Sequence, residues 1–225
     1  MKSPGGMTVR LTSKTLVAIA VAAAIAACGK QDATPGPQAE AGQQAAPAAP
    51  AQESPQAEAV AYDETVEYAG ISFHVVAAGE GSIGSVTITP SGLEIDNTPI
   101  TRETDGKVVL AEVADLNVDG SPEIYVYTQS AGSGSYGGLI AYAANDRKSL
   151  SEIYLPPVAE NPEASKGYMG HDEFRVVENT LVQRFPVYKD GDTHAAPTGG
   201  TRQLQYRLEP GEAGWVLRVD KVVEY

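Results

Sequence analysis

The sequence predicts an all-β fold, a single antiparallel β-sandwich or flattened barrel of about ten strands. Three observations carry that expectation. No window after residue 61 sustains a long apolar stripe at helical spacing. The apolar segments are short and alternate with polar residues, as half-buried strands do. Clusters of Gly, Pro, Asn, Asp and Ser separate them at short intervals, and these residues favour turns.

In chain order, residues 66–76 (VEYAGISFHVV) read as a first strand or pair of strands. Residues 85–89 (SVTIT) form a strand ended by Pro90-Ser91-Gly92, with residues 93–95 pairing back on it. Asp105-Gly106 is a tight-turn signal and predicts a hairpin between residues 98–103 and 107–113. Residues 122–129 (PEIYVYTQ) alternate Ile, Val and Thr with Tyr, and residues 138–143 (GLIAYA) supply the return strand. Residues 151–155 make a short strand stopped by Pro156-Pro157. Residues 160–170 (ENPEASKGYMG) are a loop or one helical turn. Residues 173–177 and 181–187 flank Glu178-Asn179-Thr180 as another hairpin. A long polar loop, 189–200, precedes the last hairpin, 203–208 with 215–223. No internal repeat is present.

The N-terminal region is of another kind. Residues 1–27 carry Lys2, Arg10 and Lys14, no acidic side chain, and an apolar run over 16–27 (LVAIAVAAAIAA). A basic start before an apolar run too short to span a bilayer is the pattern of a secretory signal peptide. The run ends in Ile25-Ala26-Ala27-Cys28, which resembles the bacterial lipobox, whose cysteine is acylated and becomes the new N-terminus. Ordinary cleavage near an Ala-x-Ala site, with Cys28 incidental, is the alternative. Cys28 is the only cysteine, so no internal disulfide is available. Lys30, in place of Asp, points by analogy with Gram-negative sorting to the periplasmic face of the outer membrane, with the lipid as the only membrane contact.

Residues 28–61 are almost entirely Ala, Gln, Pro, Gly and Glu. Such a segment buries too little apolar surface to offset its ordering entropy. It reads as a disordered tether with a reach of roughly 30 Å. Residues 62–225 are enough for one domain with its own core. Beyond residue 27 the chain keeps 13 of its 16 basic residues and all 29 acidic ones, a net charge of −16. That argues against nucleic acid and anionic membrane surfaces as partners and favours a cationic one, although acidity for solubility alone is common. A homodimer stays open.

Two features of the central hairpin invite chemistry. The first is Asp115-Leu116-Asn117-Val118-Asp119-Gly120-Ser121-Pro122-Glu123, with oxygen side chains at Asp115, Asn117, Asp119, Ser121 and Glu123 and a glycine for the reversal. It matches the first half of an EF-hand-like calcium loop, but position twelve is Tyr127 where that motif needs Glu. It is closer to the short calcium loops of β-rich extracellular proteins, and a structural Ca²⁺ there would brace the base of the following loop. The alternative is a turn whose Asp and Asn side chains cap the backbone without metal. No cofactor is otherwise expected.

The second feature is Ser130-Ala131-Gly132-Ser133-Gly134-Ser135-Tyr136-Gly137, longer than an ordinary hairpin connection, so it is expected to protrude. Its hydroxyls both donate and accept. A mobile loop with no task is the alternative reading. Among the tyrosines, Tyr125, Tyr127 and Tyr142 fit sheet packing, whereas Tyr136 lies in the loop.

Enzymatic chemistry is not expected. Ser135 lacks the first glycine and the following helix of a nucleophile elbow. His74, His171 and His194 show no ligand spacing for zinc. Carboxylates such as Glu173, Asp190 and Asp192 are too abundant to single out an acid pair.

SAGSGSYG after an acidic turn and a Tyr-rich strand resembles the inhibitory loop of bacterial lysozyme inhibitors. The match is to the family of periplasmic inhibitors of i-type (invertebrate) lysozyme. Residues 185–215 (FPVYKDGDTHAAPTGGTRQLQYRLEPGEAGW) also resemble that family's C-terminal half, so the likeness covers about residues 66–225. In that family the loop enters the lysozyme cleft, and a Ser and a Tyr three positions later bond the catalytic carboxyl region. Those positions are Ser133 and Tyr136 here, with Gly134 and Ser135 between them. The resemblance implies a non-enzymatic protein that occludes a cationic lysozyme. The lipobox departs from the family, whose members are mostly soluble in the periplasm. A different class stays open beside it, a calcium-dependent adhesion or glycan-binding lipoprotein working through residues 115–123.

Overall fold

A computed structural model describes residues 60–79 and 81–225. The signal peptide, Cys28 and the tether up to residue 59 lie outside the described residues. Twelve strands make up most of the domain: β1 (Val60–Tyr68), β2 (Ile71–Ala78), β3 (Ile83–Ser91), β4 (Ile100–Asp105), β5 (Lys107–Ala114), β6 (Glu123–Gln129), β7 (Gly137–Asn145), β8 (Ser149–Tyr154), β9 (Glu173–Val177), β10 (Thr180–Pro186), β11 (Thr201–Pro210) and β12 (Trp215–Glu224). A 3₁₀ turn (Val158–Glu160) and a four-residue helix, α1 (Pro162–Ser165), lie between β8 and β9. The fold is all-β as predicted, with twelve strands in place of about ten. Its first strand starts at Val60, so the last two residues assigned to the tether belong to the domain.

The strands form two sheets. β1 to β4 make an antiparallel meander, and the other eight run in the order β5-β6-β7-β8-β12-β11-β10-β9. The larger sheet curls until its edges nearly meet. Glu112 on β5 accepts hydrogen bonds from the Val176 N–H on β9 at 2.9 Å and from the Tyr127 hydroxyl at 2.7 Å. The sheet is not wholly antiparallel. β8 leaves β7 after Glu152 and pairs in parallel with β12 through Ile153–Trp215 and Tyr154–Val216.

β6 is central to both layers. Its residues Glu123 to Thr128 are buried on both faces. Ile124 and Val126 pack with Phe73, Val75, Val86 and Ile88 of the small sheet. Tyr125 and Tyr127 point the other way, into a core with Phe174, Phe185, Leu204 and Leu217. The Ile/Val–Tyr alternation seen in the sequence therefore sorts residues between two cores, not between core and water.

Two local expectations fail. Asp105-Gly106 does not close a hairpin: β4 pairs with β3 and β5 pairs with β6, so this dipeptide turns the corner between the sheets. Gly106 sits there at φ +85°, its N–H bonded to the Ser82 carbonyl at 2.8 Å. Residues 93–95 do not return onto β3. The N–H groups of Glu94 and Ile95 donate to the carbonyls of Arg147 and Lys148 in the β7–β8 turn, both at 3.0 Å.

Gly106 and Gly120 share φ +85°, but a Cβ on Gly106 would lie 1.9 Å from the Gln129 carbonyl oxygen, whereas one on Gly120 would meet nothing within 4 Å. Gly120→Ala should lose about 1–2 kcal/mol from the left-handed backbone alone. Gly106→Ala should lose more, about 3 kcal/mol or beyond, since the backbone has to shift. Urea unfolding of both variants checks this, and equal losses would mean that the corner is not packed against Gln129.

Candidate functional site

The loop of residues 130–136 is tied to its neighbours at its neck and at Gly134, while residues 131–133 stay exposed. Ser130 and Tyr136 close its neck, the Ser130 N–H donating to the Tyr136 carbonyl and the Tyr136 N–H to Ser130 Oγ, each at 2.9 Å. The Ser135 N–H donates to the Gly132 carbonyl at 2.9 Å, with Ser135 at φ +41°. The Gly134 carbonyl takes the His171 N–H at 2.6 Å. Glycine is required at this contact. Gly134 is buried, and a Cβ on Gly170 (φ +90°) would stand 2.2 Å from the Gly134 oxygen. Ser133 stays exposed at the tip, and Tyr136 is 46% exposed.

Tyr136 is propped from behind. Its ring meets Tyr168 edge-on at 5.8 Å, and Tyr168 meets Phe185 at 4.7 Å. Beneath them lies the carboxylate of Asp172, 7% exposed. Asp172 Oδ2 accepts from the Gly137 N–H at 2.9 Å and the Tyr168 hydroxyl at 2.8 Å. Its Oδ1 accepts from Gln183 Nε2 at 2.7 Å, and Gln183 Oε1 in turn accepts from the Tyr206 hydroxyl. Burial raises the Asp172 carboxyl above the ordinary carboxylate range, against the lowering effect of these donors. The same burial raises the Tyr168 phenol, with the Asp172 charge adding to it.

Beside Tyr136, where β8 parts from β7, lies an open groove of about 460 Å³ lined by Tyr136, Leu139, Tyr154, Pro156, Pro157 and Tyr168 among others. Tyr154 on its wall is 55% exposed. The second loop, 189–200, comes up on another side. Asp192 clips it by accepting from the N–H groups of Lys189 at 2.7 Å and Thr198 at 2.8 Å. These donors hold the Asp192 carboxyl below its ordinary range.

The acidic turn lies elsewhere. It precedes β6, and the Ser133–Tyr136 loop follows β6, so the seven-residue strand holds them roughly 20 Å apart. A cation at the turn would therefore not brace that loop's base. The turn's side chains serve their own backbone. Asp115 accepts from the Asp119 N–H at 3.0 Å and the Gly120 N–H at 2.9 Å. Asn117 Oδ1 accepts from the Asp119 N–H, and Asp119 Oδ1 from the Ser121 N–H. Glu123, 1% exposed, turns inward to accept from the Leu116 N–H at 2.8 Å and the Tyr125 hydroxyl at 3.3 Å. Burial first, and then the Asp115 and Asp119 charges, push its pKa up to about 8, although the Leu116 N–H opposes the shift. Among the described residues, no set of three or more His, Cys, Asp or Glu side chains is arranged to hold a metal.

Ser133, Gly134, Ser135 and Tyr136 thus lie together on one loop, and Asp115, Asn117, Asp119, Ser121 and Glu123 lie together in the turn at the other end of β6. The props behind Tyr136 were missed in the sequence. Nothing in His171-Asp172-Glu173 marks Asp172 as buried, and Tyr168 lies in residues 160–170, expected as a loop or one helical turn. The glycines of Gly167-Tyr168-Met169-Gly170 were the available signal, since residues 167 and 170 adopt positive φ to bring this segment under the loop.

Comparison with known proteins identifies no relative: no protein-family model matches the chain, and no curated protein or solved structure matches it.

Asp172→Asn keeps the size but points an amide at a ring of donors. It should lose about 2–4 kcal/mol of stability and speed hydrogen exchange at the Gly137 amide. Unchanged exchange there would detach Asp172 from the loop. Glu123 gives a pH signature. Its raised pKa means that the native state keeps a proton the unfolded chain releases near the ordinary 4.5. The Glu123 contribution to stability is therefore full below about pH 4.5, falls by up to about 1.4 kcal/mol per pH unit towards about pH 8, and is lost above it. Glu123→Gln should flatten that slope in denaturation curves taken across the window.

Proposed function

We propose that this protein inhibits lysozyme, with the i-type enzyme as the preferred target, by placing the Ser133–Tyr136 loop in the polysaccharide cleft. The observation that carries the reading is a loop tied down at its neck and at Gly134 while Ser133 and Tyr136 stay exposed. Preorganisation of this kind removes the entropy of ordering a loop on binding. The resemblance of SAGSGSYG and of residues 185–215 to inhibitors of i-type lysozyme supplies the target class. The 29 acidic against 16 basic residues suit a cationic partner.

The mechanism is occlusion. A lysozyme's general acid must deliver its proton to the glycosidic oxygen. A hydroxyl held against that carboxyl competes with the substrate for it. Tyr136 supplies anchoring area, since its ring is half exposed and propped by Tyr168. Ser133 supplies direction. The groove beside Tyr136 and the loop at 189–200 then meet the lips of the cleft. Nothing in this scheme calls on a cofactor or on catalysis by the inhibitor. Acylation at Cys28 and a tether ending before β1 would hold the domain at the outer membrane, where an incoming lysozyme first meets peptidoglycan.

A second reading draws on Glu123. A buried carboxyl with two carboxylates nearby is a place where Ca²⁺ would relieve repulsion, and a calcium-dependent adhesion or glycan-binding lipoprotein would work from that end. Ligand binding by such a protein is abolished by a chelator, whereas lysozyme inhibition through the Ser133–Tyr136 loop is indifferent to it.

Titration of the protein into muramidase assays with i-type, c-type and g-type lysozymes is the direct test, with stoichiometric loss of i-type activity as the expected result. Tyr136→Ala should weaken that inhibition at least about thirtyfold, or about 2 kcal/mol. Inhibition of none of the three enzymes, or a Tyr136→Ala variant as potent as the parent, would sink the reading.

A further inference from the structure

We infer that His171 and His194 form a two-imidazole site for a borderline divalent transition-metal ion of the Zn²⁺, Ni²⁺ or Cu²⁺ class. The two residues are far apart in the chain, and no ligand spacing joins them. The fold brings their rings to 6.0 Å between centres, with planes inclined at 53°. Each ring buries one nitrogen without a hydrogen-bond partner, Nε2 of His171 and Nδ1 of His194. A buried nitrogen left unpaired costs about 1–3 kcal/mol, and the two rings that carry these nitrogens are neighbours.

The spacing fits one ion. With metal–nitrogen bonds of about 2.0–2.1 Å and ring centres about 1.1 Å behind the nitrogens, two imidazoles on one metal stand roughly 5 Å apart at a tetrahedral angle and roughly 6 Å at a wide one, so a tetrahedral ion would draw these rings about 1 Å closer. The rings are also placed in advance. His171 sits at φ +59° directly after Gly170, with its N–H fixed to the Gly134 carbonyl. His194 accepts the Tyr188 hydroxyl on its carbonyl at 3.1 Å, and its ring lies 5.9 Å from that of Tyr188. The Asp192 clip fixes the loop that carries it. Ligands held by their own backbone contacts bind without an ordering penalty.

Imidazole nitrogen selects the class of ion. Ca²⁺ and Mg²⁺ prefer oxygen, whereas Zn²⁺, Ni²⁺ and Cu²⁺ take neutral imidazole readily. Two protein ligands leave positions for water or for an oxygen from a bound partner. The site touches the proposed inhibitory loop through His171 and Gly134, but ion binding does not depend on what that loop recognises.

Isothermal titration with Zn²⁺ and Ni²⁺ tests the site, using the chain from residue 28 onward with Cys28→Ser so that no thiol competes. One ion per chain is expected, with Ca²⁺ and Mg²⁺ failing to compete. His171→Asn and His194→Asn should each weaken binding at least tenfold, Asn being suited to the positive φ at position 171. His74→Asn removes the exposed histidine paired with Asp63 and should change nothing. In the unsubstituted chain, Zn²⁺ should shift the imidazole nitrogen resonances of both His171 and His194, which keeps the test sound if a variant unfolds. Absence of saturable binding, loss in only one of the two variants, or shifts confined to His74 would each overturn the site.

Discussion

The buried carboxylate of Asp172 is the constraint on which the exposed end of this molecule depends. Burying a charge unaided is costly, and here three donors from separate parts of the chain surround it. The Gly137 N–H comes from the start of β7, the Tyr168 hydroxyl from the segment after α1, and the Gln183 amide from β10. Gln183 extends the chain of bonds to Tyr206 on β11. One carboxylate thereby fixes where the loop re-enters the sheet, which way Tyr168 faces and how β10 and β11 sit beneath both. Because Tyr168 backs Tyr136, the orientation of the exposed ring also traces to Asp172.

Packing adds what hydrogen bonding alone would not. β6 is buried on both faces, so the base of the loop is anchored in two cores at once. At its other side the loop backbone meets residues 169–171 so closely that only glycine fits at Gly170, while the Tyr136 ring leaves little room for a side chain at Gly134. A surface loop rich in Gly and Ser is usually the most mobile part of a domain. Here the glycines work in the opposite sense, since the missing side chains let two backbones touch and lock. The low conformational freedom of the loop is a property of its contacts, not of its composition.

This explains which parts of the molecule were legible in the sequence. Strand positions were legible because side-chain alternation is a local property, and most expected strands lie within a few residues of the observed ones. The choice of partner strand was not. Asp105-Gly106 carries the same turn chemistry whether the chain folds back on itself or crosses to another sheet, and only the packing against Gln129 decides for the corner. The parallel β8–β12 contact joins residues more than sixty positions apart and leaves no mark in either strand. The exposure of Tyr136 was legible because it lies in a polar loop and not in a strand run. Asp172 was not, because an acidic residue between His171 and Glu173 looks solvated until the fold supplies its donors.

The two ends of the β6–β7 hairpin make opposite use of the same kinds of group. In the acidic turn the side chains of Asp115, Asn117 and Asp119 accept from the turn's own backbone. That backbone is satisfied from within, and the side-chain oxygens are occupied. In the loop of residues 130–136 the backbone is held at its neck and by His171, and Asp172 takes the N–H of Gly137 where the loop ends. There the hydroxyls of Ser133 and Tyr136 have no protein partner among the described residues. A buried polar group left unpaired is costly, but one at the surface can exchange water for a partner at little net loss. Of the two ends, the second is the one that leaves side-chain hydroxyls to water.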